Sequence, residues 1–550
     1  MTQKPNLEGA LEEKMQTIRT QEIEDAAQKN ASKLSLPYLN LKSFPIDSSA
    51  VYLLNESDAH LGQLLIISKT GKTLKIAALD SQNPKTQEII KKLSEEGYAY
   101  DLAIVSELSL AIGWRRYELK KDTQALMGTI EIKESELSDL QKQIKDIGDL
   151  KSKLVNLPIT KVLNILIAGA LKVGASDVHF EPEQKSIRLR YRLDGVLYDV
   201  VNFPLDGYSQ ILSRIKLMAG LKINIHDTPQ DGRFTIKQEQ INIEVRISIL
   251  PGAYGENVVM RILDPRTIKQ KLEDMGMRKD TLITIRRLLQ KTTGAILTTG
   301  PTGSGKTTTL YAFIEAISSP DVKIITIEDP IEYHIKGISQ TQVDVGAGYT
   351  FADGLRSIVR QDPDVILVGE IRDIQTAEIA MQAGLTGHLV FSTLHTNNAA
   401  GAIPRLIDFG IKPATIAPAI NAIMAQRLVR RLCSKCKKKN KPTSEDFNLI
   451  EKSLSALDDS VVGKLNKDLE IYYPGKCPEC NSTGYQGRVG VYELFETDPE
   501  IERLILKSPA ISEIQDLAVK KGLVTLLQDG LIKVIEGITS IEEIMRVIGQ

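Results

Sequence analysis

Aromatic residues and an excess of one charge are both scarce in this 550-residue sequence, which has 5% aromatic residues, one tryptophan and a formal net charge of −1. Proteins that bind single-stranded nucleic acid stack bases on aromatic side chains within a basic groove. The sequence shows no such basic and aromatic pattern. We therefore expect no nucleic-acid partner.

Long apolar segments are missing as well. The longest apolar run, near residues 163–173, is too short and too interrupted to cross a bilayer. The first seventeen residues lack the apolar core of a signal peptide. We therefore expect a cytoplasmic protein that reaches the inner face of the cytoplasmic membrane through partners.

Cysteine is rare, and its positions are informative. The four cysteines form two C-x₂-C pairs, Cys433 with Cys436 and Cys477 with Cys480, separated by about 40 residues. So few cysteines fit a reducing compartment. Four thiolates suit a closed tetrahedral Zn²⁺ site, although unlinked buried thiols are the alternative. The spacing predicts a zinc subdomain within residues 427–490.

The most informative segment that is present is GPTGSGKTTT, which begins at residue 300 and follows an apolar, strand-like run. Glycines let the backbone N–H groups wrap a polyphosphate at the start of a helix. Lys306 would reach the β- and γ-phosphates, and the Thr307 hydroxyl would ligate Mg²⁺. A turn that only caps a helix is the alternative. The predicted ATP site consists of Gly300, Pro301, Thr302, Gly303, Ser304, Gly305, Lys306, Thr307 and Thr308.

Acidic residues follow two further apolar strands. The predicted strand 323–327 runs into Glu328 and Asp329, and the strand 365–368 is followed by Glu370. In an open parallel sheet the ligand lies at the carboxyl ends of the strands, so we expect these carboxylates to converge on the triphosphate. Glu370 is the candidate that activates water, and the other two are candidates for the metal shell.

Histidines and arginines complete the candidate site. His388 and His395 bracket a third strand, although a histidine beside a buried strand is often a core residue. In SIRLRYRL, which begins at residue 186, arginines alternate with apolar residues, so they face either water or a polyanion. The candidate phosphate-sensing arginines are Arg192, Arg214, Arg233 in a predicted turn, and the pair Arg356 and Arg360 on one helix face.

The chain divides into four segments by pattern and composition. The first is a small α/β docking domain that starts with a polar arm of about 34 residues, and the second is a charged helical connector. A second α/β domain with a half-buried sheet and a nucleotide domain follow. The predicted boundaries are 1–117, 118–157, 158–265 and 266–550.

Several segments together resemble the ATPases of type II secretion and type IV pilus assembly. They include ASDVHFEP at 175, PQDGRF at 229, GPTGSGKTTT at 300, ITIEDPIEY at 325, VGEIRD at 368 and TGHLVFSTLHTNNA at 386. The resemblance covers roughly residues 158–550. It implies a PAS-like domain followed by a RecA-like P-loop domain with a zinc-binding insertion and C-terminal helices, assembled as a homohexamer.

The resemblance also implies a motor cycle. ATP would lie between the PAS-like and RecA-like domains, with arginines of the former closing over it. Hydrolysis would rotate the small domain about a hinge near residues 265–271 and drive an inner-membrane platform protein that polymerises pilin. The zinc subdomain and the extra N-terminal domains favour an assembly or secretion motor over a retraction motor.

Three other functions stay open at this point. A type II secretion ATPase would have the same motifs. A nucleic-acid motor also combines a P-loop with four-cysteine modules, although charge and aromatic content argue against it. A nucleotide-sensing scaffold would bind ATP without turnover.

Overall fold

A computed structural model describes residues 21–42, 44–126, 129–130, 159–238, 241–268, 270–457 and 469–549. The chain forms two compact units, Met1–Thr129 and Ile130–Gln550, and each is described by itself. Most of the predicted charged connector, residues 131–157, lies outside the described residues, as do the first 20 residues of the predicted arm.

The first unit contains a three-stranded sheet in the order β1-β2-β3. β1 (Leu64–Thr70) and β2 (Thr73–Ala78) form an antiparallel hairpin, and β3 (Ala99–Ile104) pairs with β2 in parallel. Because parallel pairing needs a crossover connection, helix Pro84–Glu95 joins β2 to β3. Residues 64–67 of β1 are all buried and belong to the core of this unit. The described helices are residues 21–33, Ser48–Val51, Glu56–Leu61, Pro84–Glu95 and Glu107–Leu126.

The second unit begins with an antiparallel sheet; a two-residue strand, β4 (Thr129–Ile130), precedes it in the chain. Its strands lie side by side in the order β8-β9-β10-β5-β6-β7. The predicted alternation in β6 is present, because Ile187, Leu189 and Tyr191 are fully buried while the arginines between them are partly exposed. Helices Ile159–Lys172 and Tyr208–Met218 belong to the same core. The strands are β5 (Asp177–Pro182), β6 (Ser186–Leu193), β7 (Val196–Pro204), β8 (Gln230–Gln238), β9 (Ile241–Gly252) and β10 (Gly255–Leu263).

Arg233 is the position in this sheet where the sequence prediction differs from the structure. It lies within β8, opposite Arg246 of β9, and not in a turn. The preceding glycine produced the turn signal. Gly232 instead allows close packing, since a Cβ there would lie 2.5 Å from the carbonyl oxygen of Ala219. Glycine inside a strand often marks such an approach.

A larger sheet follows, in the order β13-β12-β14-β15-β11-β16-β19. All neighbouring strands are parallel except β19, which runs antiparallel to β16. The carboxyl ends of the central strands therefore meet at one edge, as the sequence predicted. The strands are β11 (Gly294–Thr299), β12 (Ile324–Glu328), β13 (Ser339–Gln342), β14 (Val365–Val368), β15 (Leu389–Leu394), β16 (Ile420–Leu432) and β19 (Tyr485–Glu496). Together with the antiparallel sheet, this confirms the predicted mixed α/β multidomain fold class.

Helices cover both sides of the large sheet and end the chain. Their bounds are Pro265–Ile268, Lys279–Leu288, Lys306–Ile317, Phe351–Val359, Ile374–Leu385, Ala402–Asp408, Pro413–Ala419, Ser444–Leu454, Pro499–Ile505, Ile511–Lys520, Leu526–Ile535 and Ile541–Ile548. Short 3₁₀ helices span Leu272–Met275, Val345–Ala347 and Pro478–Cys480. Among the described residues, no helix is both long enough and apolar enough to cross a membrane.

The cysteine pairs lie between β16 and β19. Cys433 follows the last residue of β16, and Cys480 ends the 3₁₀ helix Pro478–Cys480. The chain between the pairs contains an antiparallel two-stranded sheet, β17 (Lys438–Asn440) and β18 (Ile471–Tyr473). Two distant chain segments are thereby brought to one point.

Candidate nucleotide site and metal centre

The loop between β11 and helix Lys306–Ile317 has the backbone of a phosphate-binding loop. Gly303 and Gly305 have φ values of +79° and +88°, which glycine adopts without steric penalty. Gly300 has no room for a side chain, since a Cβ there would lie 2.6 Å from the carbonyl oxygen of Gln426. The loop leads directly into a helix N-terminus, the arrangement that binds anions.

Lys306 folds back onto this loop. Its ammonium group donates hydrogen bonds to the carbonyl oxygens of Gly300 at 2.8 Å and Pro301 at 3.2 Å. Burial lowers the pKa of Lys306 to about 8, although the charge of Glu370 opposes this shift. A buried ammonium group whose hydrogen bonds go to carbonyl oxygens would gain strongly from a phosphate oxygen.

Glu370 lies two residues beyond the carboxyl end of β14, with its side chain 16% exposed. Arg372 contacts one carboxylate oxygen at 2.5 Å, and the Nε2 atom of His395 lies 3.6 Å from the other. Burial, followed by the charge of Lys306, lowers the pKa of His395 from its usual value near 6.5. This shift favours the neutral imidazole.

Glu328 and Asp329 have different environments. Glu328 is the last residue of β12, one position later than the sequence predicted, and is 3% exposed. Its carboxylate accepts hydrogen bonds from Thr326 at 2.6 Å, from Gln340 at 3.2 Å and from the Tyr311 hydroxyl. The Asp329 side chain is more exposed and lies 3.7 Å from Arg372. Much of the acceptor capacity of Glu328 is thus already used by the protein.

These groups line a cleft of about 980 Å³ between the two sheets of the second unit. The residues from Pro301 to Thr308, the three carboxylates and His395 form one wall. The antiparallel sheet contributes Arg192 and Arg261, which pair with the buried Asp177 at 3.3 Å and 3.0 Å. A triphosphate on the loop would therefore meet positive groups from both sheets.

His388 is not part of this cleft. It precedes β15, at the opposite end of the strand from His395 and about 20 Å away for six residues of extended chain. Its Nδ1 atom lies 3.0 Å from the carbonyl oxygen of Ala383. Two histidines that flank one strand occupy opposite edges of the sheet, so within this chain only His395, at the carboxyl end, lines the cleft. A catalytic role for His388 stays a prediction.

The remaining predicted arginines lie outside the cleft within this chain. Arg214 lies 3.4 Å from the Asn164 side chain, and Arg233 lines a second cavity of about 680 Å³. Arg356 is exposed and pairs with Asp353 at 3.2 Å. Arg360, the C-cap of helix Phe351–Val359, is exposed as well. A role for any of these four at a phosphate stays a prediction.

Five arginines that were not among the predicted site residues also line the cleft. They are Arg261, Arg372, Arg427, Arg488 and Arg546. Arg372 could have been predicted from the sequence, because it follows the candidate Glu370 by two residues. The other four come from β10, β16, β19 and the last helix. Only long-range strand pairing brings them together, and one sequence gives no signal for that pairing.

The four cysteines form a compact cluster. Their sulfur atoms all lie within 4.8 Å of one another, with close pairs at 3.6 to 3.8 Å. Four ligands at the usual Zn–S distance of about 2.3 Å would place the sulfurs about 3.8 Å apart. The backbone N–H of Gly484 donates to the Cys480 sulfur at 3.3 Å, as expected for a thiolate ligand. The residues therefore fit a zinc ion.

Comparisons with known proteins agree with this geometry. A sequence model of the family described as Type II/IV secretion system protein matches residues 153–546. The type IV pilus assembly ATPase PilB of Myxococcus xanthus is 35% identical over 96% of this chain and 92% of that protein. The type II secretion system ATPase E of Vibrio cholerae is 42% identical over 78% of this chain and 82% of that protein.

A solved structure extends the likeness to the fold. The X-ray structure of the Legionella pneumophila ATPase DotB superposes with a TM-score of 0.51, covering 71% of this chain and 96% of that one at 22% identity. At this identity the likeness concerns the fold alone. The superposed 71% of the chain extends beyond the residues of the large sheet.

Proposed function

This chain belongs to the type II/IV secretion system protein family and is a P-loop ATPase of the secretion and pilus assembly type, and we propose that it powers pilin polymerisation in type IV pilus assembly. The supporting observation is the extent of the likeness. The pilus assembly relative aligns over 96% of the chain, whereas the type II secretion relative leaves about a fifth unmatched.

The proposed reaction is hydrolysis of ATP to ADP and phosphate. Lys306 and the N–H groups of the phosphate loop would bind the β- and γ-phosphates. Glu370 is the proposed group that orients and deprotonates the attacking water, with Arg372 holding one of its oxygens. Its position near Lys306 favours it over Glu328, whose oxygens already accept three hydrogen bonds.

Mg²⁺ and Zn²⁺ are the proposed metals. The Thr307 hydroxyl and the carboxylates of Glu328 and Asp329 offer the oxygen ligands that Mg²⁺ prefers, and they line the same cleft. Bound Mg²⁺ would neutralise charge on the phosphates. Cys433, Cys436, Cys477 and Cys480 would hold Zn²⁺ in a structural role.

The assembly and the partners are also proposals. The family resemblance supports a homohexamer that acts on an inner-membrane platform protein at the cytoplasmic face of the membrane. Within the cleft, ATP would draw the two sheets together, because Arg192 and Arg261 come from one and Lys306 from the other. Release of phosphate would remove that attraction and let the antiparallel sheet move.

A gene deletion distinguishes type IV pilus assembly from type II secretion. The gene is deleted in its own organism, and surface pili and secreted enzymes are quantified with and without complementation. Loss of pili with normal secretion supports the proposal. Loss of secretion with normal pili would instead assign the chain to type II secretion. Complementation with Glu370→Gln should fail in either case, which ties the phenotype to ATP hydrolysis.

A further inference from the structure

The segment from His395 to Ala399, here called the histidine loop, is tied to three neighbouring strands. The Thr396 N–H donates to the Thr299 hydroxyl of β11 at 2.9 Å, and the Ala399 N–H donates to Glu493 of β19 at 2.9 Å. The third tie comes from β16, where the Arg427 guanidinium donates to the carbonyl oxygen of Asn397 at 2.6 Å. The loop carries His395 towards Glu370, so these contacts set its position.

Arg427 also lies against the phosphate loop. Its Nη1 atom donates to the Gln426 carbonyl at 3.0 Å and lies 3.0 Å from the position that a Cβ on Gly300 would take. The Gln426 side chain, 1% exposed, donates to the carbonyl oxygen of Ser304 at 2.8 Å. Gln426 therefore holds the middle of the phosphate loop, while Arg427, the next residue of β16, packs against the start of that loop and holds the histidine loop.

The chemistry of this contact suits a guanidinium group. Both partners of Arg427 are carbonyl oxygens, that of Asn397 on the histidine loop and that of Gln426 on β16 itself. Burial lowers the pKa of Arg427, and the nearby charge of Glu493 opposes the shift. A planar fork with five donors holds two separated carbonyls in fixed directions, which a lysine ammonium group does not do.

We propose that Arg427 is a positioning residue for ATP hydrolysis, whose guanidinium fixes the histidine loop against the phosphate loop and so sets the placement of His395 beside Glu370. The inference rests on the proposed mechanism at this site and extends it to β16. A displacement of about 1 Å at such a site costs up to about 100-fold in rate.

The first test compares Arg427→Ala with Arg431→Ala, a matched control at an exposed position of the same strand. We expect Arg427→Ala to lower kcat by about 10- to 100-fold, with the Kd of a non-hydrolysable ATP analogue changed by less than about threefold. Guanidinium ion at millimolar concentration should restore part of the lost kcat, and it should not rescue Glu370→Gln. Arg431→Ala should keep the parental rate.

The second test asks whether Arg427 acts through the histidine loop. If it does, Arg427→Ala should lower kcat by less than about threefold in a His395→Ala background, because the group that it positions is already missing. If the fold losses in kcat of the two single variants multiply in the double variant, the inference is wrong.

The outcomes also separate this inference from the proposed function. An unmodified protein that binds ATP but releases no phosphate contradicts the proposed mechanism itself. An active parent together with a folded, fully active Arg427→Ala contradicts only the role of Arg427. Should the alanine variant fail to fold by circular dichroism, Arg427→Lys decides, because parental kcat in that variant would show that the fork is not needed.

Discussion

The outer face of β6 and the nucleotide edge of the large sheet are both rich in positive charge, but they satisfy it differently. On β6, Arg188 pairs with Asp199 at 2.7 Å, and Arg190 pairs with Glu181. At the nucleotide edge, the ammonium group of Lys306 and the guanidinium of Arg427 are held by carbonyl oxygens. A face whose cations are paired with carboxylates needs no ligand, whereas a cation whose hydrogen bonds go to carbonyl dipoles gains from an anion. Pairing of the cations with carboxylates thus distinguishes a stabilising face from a binding site.

Removal of the carboxylate beside Lys306 is expected to have the largest effect. Glu370→Gln should lower the rate of phosphate release by about 100-fold or more, since general base catalysis typically contributes that much. The Kd of a non-hydrolysable ATP analogue should change by less than about threefold. Exposed Glu183, in the turn between β5 and β6, supplies the control, Glu183→Gln, with parental activity. Full turnover by Glu370→Gln would move the water-activating role to another carboxylate or show that none is required.

The cysteine cluster differs from both regions, because its four thiol groups become thiolate anions that need a bound cation. We expect about one zinc per purified chain, and Cys477→Ser should lose the metal and lower the melting temperature by about 5 °C or more. Elemental analysis and thermal unfolding measure the two quantities. The neighbouring exposed Lys476→Ser is the control. A metal-free parent with the same melting temperature as Cys477→Ser would show that the cluster is a set of buried thiols.

Two arginines of β6 allow a direct test of the comparison. Arg192 lines the cleft and shares the carboxylate of Asp177 with Arg261, whereas Arg188, on the same strand face, pairs with Asp199. Loss of a charged hydrogen bond to phosphate costs about 1.5 kcal/mol, so Arg192→Ala should raise the KM for ATP about tenfold. Arg188→Ala should change it by less than about twofold. Equal effects of the two substitutions would contradict the distinction drawn between their surroundings.

The smallest predicted effect is a dependence of ATP affinity on pH. Burial lowers the pKa of Lys306 to about 8 in the ligand-free protein. Above that pH the amine is neutral, so triphosphate binding must take up a proton, and the Kd of a non-hydrolysable ATP analogue should rise up to about tenfold per pH unit. The free energy of unfolding of the ligand-free protein instead increases with pH. Between pH 8 and 10.5, Lys306 is more protonated in the unfolded chain than in the folded one. This lysine therefore makes the free protein more stable as the pH rises through that range.

Fluorescence titrations between pH 7 and 9.5 measure the affinity. Lys306→Arg is the matched control, since guanidinium stays charged over the whole range. The same slope in both proteins would assign the effect to another group.

Contiguous parts of the site could be predicted from the sequence, and parts made by long-range pairing could not. The phosphate loop and Glu370 follow strands directly, so local order places them at the edge of the sheet. Arg427 and Arg261 reach the cleft only because their strands take particular places in two sheets. A local signal also failed at Gly232, where a glycine needed for close packing resembled a turn.

One strand has a consequence for how distant parts of this protein move. β16 runs for 13 residues, passes the phosphate loop at Gln426 and Arg427, and ends at Leu432 next to the first cysteine. Arg427 precedes Cys433 by about 20 Å of extended chain. Over this stretch the strand is paired with β19, with one irregularity between Arg430 and Leu432. We therefore expect a displacement of the cysteine cluster to be transmitted along β16 to the nucleotide pocket.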